Sequence, residues 1–188
     1  MQTPPSLPLT KPKTFMLVGI GLLIMGIFYL LGLLMNVAYA AIPAMRETNP
    51  MLKIMDQDPT YAAIYNTSLA LNGLIGLVAI AAGIGLLKSR NWGRTLGIGW
   101  AGLTLLMLPY GLWMTNTYVK PEMAQMQNEM MGGKSMPEGF GKGMEVFTTA
   151  LTILTTLFWA VGCIVVIYFL ARPKMKAWCA LQESQKAS

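Results

Sequence analysis

The sequence Lys88-Ser89-Arg90-Asn91-Trp92-Gly93-Arg94 is a short basic turn between two long runs without a charged residue, 59–87 and 95–119. Each run is longer than the ~20 apolar residues with which a helix crosses the hydrocarbon core of a bilayer. Asparagine and glycine in so short a connection are typical of a turn. The stretch therefore predicts two antiparallel membrane helices joined as a hairpin.

Two further uncharged runs, 14–45 and 146–171, lie outside this hairpin. Hydrophobic residues make up 54% of the 188 residues, and charged residues make up 12%. We therefore predict an all-α, polytopic membrane protein, a four-helix bundle that forms a single domain of residues 1–188. The predicted spans are about 14–42, 60–87, 95–117 and 146–171, with outer connections at 43–59 and 118–145 and a tail at 172–188.

The charged residues predict the orientation of the spans. The amino-terminal segment, the turn between the second and third spans and the tail hold nine basic residues and one acidic residue. The other two connections hold five basic and seven acidic residues. Because Lys and Arg near the ends of spans remain on the cytoplasmic side, both termini are expected to be cytoplasmic.

Residues 83–96, Gly-Ile-Gly-Leu-Leu-Lys-Ser-Arg-Asn-Trp-Gly-Arg-Thr-Leu, resemble a segment common in small bacterial four-span inner-membrane proteins of unassigned function. In that segment a span ends in Gly and Leu, a basic Trp-Gly-Arg turn follows, and a new span begins. The resemblance covers 14 residues. It implies a bacterial inner membrane and a helical hairpin, and it implies no activity.

Small residues recur at helical spacing in all four spans. Because the hydrophobic effect does not drive helices together in lipid, close packing at such residues is expected to hold the bundle together or to bind another protein. The predicted helix-packing residues are Gly19 and Gly26 in the first span; Ser68, Asn72, Gly76, Ala79 and Gly83 in the second; Gly93, Gly97 and Ala101 in the third; and Thr149, Thr152, Thr156 and Ala160 in the fourth.

The chain lacks histidine, and its four uncharged runs lack every side chain that carries or senses a charge. The first absence removes imidazole from metal ligation and acid-base catalysis, and the second removes the usual groups of proton-coupled transport. We therefore predict no catalytic residue, no enzymatic activity and no cofactor. The polar Asn72 is expected to hydrogen-bond to the threonine stripe of the fourth span. The alternative is that it lines a path for a small neutral solute.

Nine of the 16 methionines fall in the two predicted outer connections. In the third connection, Pro121 and the pair Gly132-Gly133 delimit a predicted short outer-loop helix. Its methionine face comprises Met123, Met126, Met130 and Met131. Flexible thioethers make adaptable apolar contacts, so we predict that this face docks on a partner or on the membrane surface. The alternative is that the first three of these methionines bind Cu(I), which soft thioethers select.

Basic residues cluster at the predicted cytoplasmic ends of the second, third and fourth spans. They are Lys88, Arg90, Arg94, Arg172, Lys174 and Lys176. Each is expected to contribute ~1 kcal/mol of attraction to an anionic lipid headgroup near the membrane surface. Beyond Pro173, Met175, Trp178 and Leu181 recur at helical spacing, which predicts a short interfacial helix in the cytoplasmic tail.

A chain with much packing surface and few chemically active side chains is expected to work through contact. We predict a structural or accessory subunit of a larger membrane complex, or a homo-oligomer. The expected partners are membrane lipids and other membrane-protein subunits or a second copy, and no nucleic acid. One alternative is a membrane protein that handles Cu(I) on the periplasmic side through its Met-rich loop, and another is a small transporter or channel.

Overall fold

The computed structural model describes residues 13–43, 50–121 and 138–187, and this part of the chain is helical and contains no strand. We label its helices in chain order: α1 Lys13–Ala41, α2 Pro50–Gln57, α3 Pro59–Leu87, α4 Asn91–Met114, α5 Glu138–Ala171 and α6 Pro173–Ala187. A five-residue π-helical turn, Thr115–Val119, continues α4. The predicted all-α fold is confirmed.

Within these described residues, four helical segments are long and apolar enough to cross a membrane. They are Lys13–Ala41, Pro59–Leu87, Asn91–Val119 and Val146–Ala171. The chain is therefore a multi-pass membrane protein, as the uncharged runs predict. The third segment begins at Asn91, whereas the sequence predicts its start at 95. The helix includes Arg94 because this guanidinium is bound by protein groups: Nε donates to Asn91 Oδ1 (3.1 Å) and Nη1 donates to the Leu170 carbonyl (3.2 Å).

The start of α3 is fixed by a side-chain cap. Asp58 Oδ1 accepts hydrogen bonds from the backbone N–H groups of Thr60 (2.8 Å) and Tyr61 (3.2 Å). Pro59, at the first helical position, has no N–H to satisfy. The sequence Asp-Pro before the second span predicts this cap, and the structure confirms it.

The end of α3 is a Schellman motif. The Ser89 N–H donates to the Leu86 carbonyl (2.9 Å), and the Arg90 N–H donates to the Gly85 carbonyl (2.8 Å). This pattern requires a left-handed residue, which is usually glycine. Here Ser89 takes that conformation, with φ of 54°. The turn between α3 and α4 is therefore held by the backbone, at a conformational cost to Ser89.

Two short helices flank the candidate spans. The eight-residue α2 lies in the first connection, where the sequence predicts no helix, and its Leu52 and Ile54 are buried. In α6, Met175, Trp178 and Cys179 are buried by the chain itself. The apolar face of the tail helix is thus covered by protein, and its place in the headgroup layer stays a prediction. The predicted outer-loop helix lies outside the described residues.

The chain forms two compact units, which we name by their connections. The hairpin unit comprises residues 13–31, 73–103 and 163–187 and contains the turn between α3 and α4. The connection unit comprises residues 32–43, 50–72, 104–121 and 138–162. The largest fully buried side chains of the hairpin unit are Phe15, Leu22, Leu86, Cys163, Leu170 and Cys179, whereas Tyr61 is the one described in the connection unit. The dense apolar core is therefore in the hairpin unit.

Candidate functional site

Glycines of α1 and α3 form a close seam in the hairpin unit. A methyl group at Gly26 would lie 2.7 Å from the Gly76 carbonyl oxygen, and one at Gly83 would lie 2.7 Å from the Gly19 carbonyl oxygen. Gly19 and Gly26 are seven residues apart, as are Gly76 and Gly83, and the order of the pairs is antiparallel. The two backbones therefore approach at two successive positions where no larger residue fits.

The hairpin of α3 and α4 has a second close approach. A methyl group at Gly93 would lie 2.6 Å from Gly85 Cα, and one at Gly97 would lie 2.8 Å from Leu170 Cδ1. Ala79 and Ala101 are fully buried. The structure thus places the predicted small residues of the first three spans in contacts within the chain, except Asn72, which is exposed. Sequence reasoning missed Gly85. Gly83 and Gly85 stand two residues apart just before a turn, so the end of this helix has little side-chain volume, which is a signal for close packing.

In the connection unit, side-chain hydrogen bonds link neighbouring spans. Tyr65 donates its hydroxyl proton to Asn36 Oδ1, which joins α3 to α1. The hydroxyls of Ser68 and Tyr110 are 2.9 Å apart and join α3 to α4. We call these two pairs the polar clamps. Sequence reasoning selected Ser68 alone, although Asn36 is the only amide side chain in α1 and is a visible signal.

A third contact lies beyond the π-helical turn. The Lys120 ammonium donates to Thr149 Oγ1 over 3.3 Å, which joins the segment that follows Thr115–Val119 to α5. A π-helical turn changes the direction in which the following side chains point, and such turns are frequent at functional sites. Here it precedes the lysine that reaches the fourth span.

The hydrogen bonds of the clamps can be assigned by counting protons. Ser68 Oγ lies 2.8 Å from the Ile64 carbonyl, which can only accept, so the serine donates there. Tyr110 must then donate to Ser68. Asn36 Nδ2 similarly donates to the Gly32 carbonyl over 2.8 Å. The hydroxyl protons of Tyr65, Ser68 and Tyr110 are therefore all used within the protein.

Five aromatic rings surround the clamps in an unbroken series. Tyr65 contacts Tyr61 (5.8 Å between ring centroids), Tyr61 contacts Tyr118 (5.0 Å), Tyr118 contacts Trp113 (5.9 Å) and Trp113 contacts Tyr110 (6.0 Å). Tyr61 is 1% exposed. Aromatic rings at these separations attract one another beyond the area that they bury. The connection unit is thus held by hydrogen bonds and ring contacts.

The threonine stripe of α5 does not bind Asn72 in the part of the chain that the structure describes. Thr152 and Thr156 each donate to the carbonyl four residues earlier, over 2.8 Å, and Thr149 lies beside Lys120. The side chain of Asn72 is exposed. The expected bond between Asn72 and the stripe is therefore not formed within the described residues. The stripe, with Ala160, forms the less exposed face of α5.

The basic cluster divides into bound and exposed side chains. Arg94 is bound to Asn91 and to the carbonyl of Leu170. The guanidinium of Arg172 lies over the ring of Tyr168, 4.5 Å from its centroid, and donates to its hydroxyl over 2.6 Å. The exposed ammonium and guanidinium groups are those of Lys88, Arg90, Lys174 and Lys176. Arg94 therefore serves the protein, whereas the others can face a lipid headgroup.

The remaining predicted site cannot be placed. Met123, Met126, Met130 and Met131, the predicted docking face and the alternative Cu(I) ligands, lie outside the described residues. Both remain hypotheses. Cys163 and Cys179 are buried, and within the described residues neither forms a disulfide bond. Over the described ranges, His, Cys, Asp and Glu form no group of three that could hold a metal ion.

Two different arrangements of neutral groups are therefore available for function, the glycine seam and the clamps with their rings. No protein-family model, no curated protein and no solved structure matches the chain.

Proposed function

We propose that this protein is a non-enzymatic accessory subunit of a larger membrane complex, or a homo-oligomer, which binds its partner through the exposed surface of α5. It acts by helix packing and by docking. We place it in a bacterial inner membrane with both termini in the cytoplasm, because basic residues dominate the termini and the turn between α3 and α4. A carboxy-terminal fusion to a fluorescent protein that matures only in the cytoplasm tests this orientation.

The observation that carries the proposal is the small buried fraction of the fourth span. Within its most apolar stretch 11% is buried, against 44% for the second span. Phe158, on the face of α5 opposite the stripe, is 71% exposed. A helix that its own bundle covers so little offers most of its surface to lipid or to another helix.

Open glycines provide positions at which the backbone of another helix can approach closely in lipid. A methyl group at Gly162 of α5 would have no neighbouring atom within 4 Å, and the same is true of Gly99 and Gly102 of α4. Close approach of backbones at small residues drives association in membranes, where apolar surface alone does not. The glycines that the seam leaves unused therefore fit a partner helix.

Disulfide cross-linking in native membranes tests the proposal. Cys163 and Cys179 are first replaced by alanine, and Gly162→Cys is then compared with Gly21→Cys, an equally open position on α1. We expect oxidation to shift Gly162→Cys to a dimer, and a bifunctional thiol-to-amine reagent to capture any different partner. A chain that stays monomeric at Gly162 under both treatments, as at Gly21, would contradict the proposal.

Association can also be weakened by placing a large side chain at the open position Gly162. Gly162→Leu is expected to reduce association about tenfold, equivalent to about 1.4 kcal/mol, because the partner backbone can no longer approach. Gly21→Leu is the matched control. Sedimentation of both variants in the same detergent measures the difference, and equal association of the two would argue against docking at α5.

A further inference from the structure

The face of α3 that packs in the bundle is interrupted at one position. Tyr61, Tyr65, Ser68, Asn72 and Gly76 follow one another at intervals of three or four residues and so share a face of the helix. Tyr61 and Gly76 are buried, Tyr65 and Ser68 are half-buried in the clamps, and Asn72 between them is exposed. The helices that contact this stripe at its other positions, α1 and α4, therefore leave the Asn72 side chain uncovered.

The packed face of α4 is interrupted in the same unit. Gly111 lies seven residues after Thr104, which is 5% exposed, so both residues share one face of α4. Yet Gly111 is exposed, and a methyl group there would have no neighbour within 4 Å. Asn72 follows Ser68 by about one helical turn, and Gly111 directly follows Tyr110, so both positions lie near the hydrogen bond between Ser68 and Tyr110. On both α3 and α4, an exposed position therefore interrupts the packed face beside the clamp of Ser68 and Tyr110.

The chemistry of the opening follows from the hydrogen-bonding groups that remain. The Ser68 and Tyr110 hydroxyls use their protons within the protein, so both oxygens retain acceptor capacity. The exposed Asn72 amide presents two N–H donors and one acceptor. Residues 59–87 and 95–119, on which the two open positions lie, carry no ionised group. A molecule that fits must be neutral and must both donate and accept hydrogen bonds.

Because Asn72 lies deep in the span, its amide needs a hydrogen-bonding partner. Asn72 follows Pro59 by 13 residues, which corresponds to about 20 Å along the helix and to the middle of the span. An amide left without a partner in hydrocarbon is costly, and polar openings in proteins hold water or a ligand. From Gly76 to Gly83, in the hairpin unit, the same face of α3 packs against α1 in the glycine seam.

We propose that the connection unit contains a water-accessible cleft that reaches Asn72 and binds a neutral molecule with an alcohol group. The alcohol donates to a clamp hydroxyl oxygen or to the amide oxygen of Asn72, and accepts from the amide N–H of Asn72. The molecule enters from the aqueous phase as a polyol or from the bilayer as the headgroup of an uncharged lipid. This site is separate from the exposed surface of α5 on which the docking proposal rests.

Cysteine labelling in lipid nanodiscs tests the cleft. In a background with Cys163→Ala and Cys179→Ala, three single variants are compared: Asn72→Cys, Gly111→Cys and Leu74→Cys. Leu74 is 55% exposed and lies on the opposite side of α3. With a charged, membrane-impermeant methanethiosulfonate, Asn72→Cys and Gly111→Cys are expected to react about tenfold faster than Leu74→Cys, because a thiol in hydrocarbon stays protonated.

Labelling of Gly111→Cys keeps the test decisive if Asn72→Cys does not fold. Reaction of the two cleft positions as slow as that of Leu74→Cys would overturn the cleft. The ligand is then tested on Gly111→Cys, which retains Asn72, by protection with two probes, glycerol and 1-monooleoylglycerol, with rates divided by those of Asn66→Cys, an exposed position on another face of α3. A severalfold slower reaction with glycerol indicates the aqueous source, and with 1-monooleoylglycerol the bilayer source. No protection by either probe would overturn the alcohol site.

Discussion

The two units of this protein hold their helices together by different means. In the hairpin unit, Gly26 and Gly83 bring the backbones of α1 and α3 into direct contact, whereas in the connection unit the same two helices are joined by the hydrogen bond between Tyr65 and Asn36. Backbone contact leaves no space between helices. A clamp holds two side chains at a fixed distance and leaves gaps beside them, as at Asn72 and Gly111. The close backbone contacts therefore suit the hairpin unit to rigidity, whereas the gaps beside the clamps suit the connection unit to binding.

Filling the glycine seam should have the largest effect. In Gly26→Leu the new side chain meets the Gly76 carbonyl and Ile80, neither of which can move without separating α1 from α3. We expect a loss of about 3 kcal/mol in the free energy of unfolding, measured by titration with sodium dodecyl sulfate in mixed micelles. Gly21→Leu, at an open position of the same helix, is expected to change little. Equal losses in both variants would show that the seam does not hold the hairpin unit.

Relieving the turn of the hairpin unit should have a smaller effect of opposite sign. Ser89 has a positive φ, which glycine adopts without strain. Ser89→Gly is therefore expected to raise the free energy of unfolding by about 1 kcal/mol. Ser89→Ala, which keeps the strain and removes only the hydroxyl, is the control. Greater stability of the alanine variant would mean that the hydroxyl, and not the backbone, decides the effect.

The clamps should give the smallest effect, because a single hydrogen bond between membrane helices contributes little. A double-mutant cycle with Asn36→Leu and Tyr65→Phe is expected to give a coupling of about 0.6 kcal/mol. Thr155→Val, which removes a hydroxyl bonded only to its own helix, provides a reference for an uncoupled change. A coupling of zero would indicate that the aromatic rings alone join α1 to α3 in the connection unit.

The spans could be predicted from the sequence because charge and length act locally. The cap at Asp58 could be predicted for the same reason. The clamps could not, since Asn36 and Tyr65 are 29 residues apart, and their meeting depends on the register between two helices. The helix α2 was missed because eight residues are too few for a clear periodic pattern.

The expectation for Asn72 failed for a related physical reason. A polar residue in a span needs a partner, but whether Asn72 meets the threonines of α5 depends on the register and separation of two helices, which the sequence does not specify. The sequence likewise predicts that small residues in the spans are packing positions. It does not distinguish positions that pack within the chain, such as Gly83, from open positions, such as Gly162.

The central claim is that this chain functions while bound to another membrane helix. Native mass spectrometry of the protein released directly from lipid nanodiscs, without prior delipidation, tests this claim most directly. We predict a species heavier than one 20.5 kDa chain, either a multiple of that mass or a complex with a different protein. A single 20.5 kDa chain, carrying lipid alone, would contradict the account.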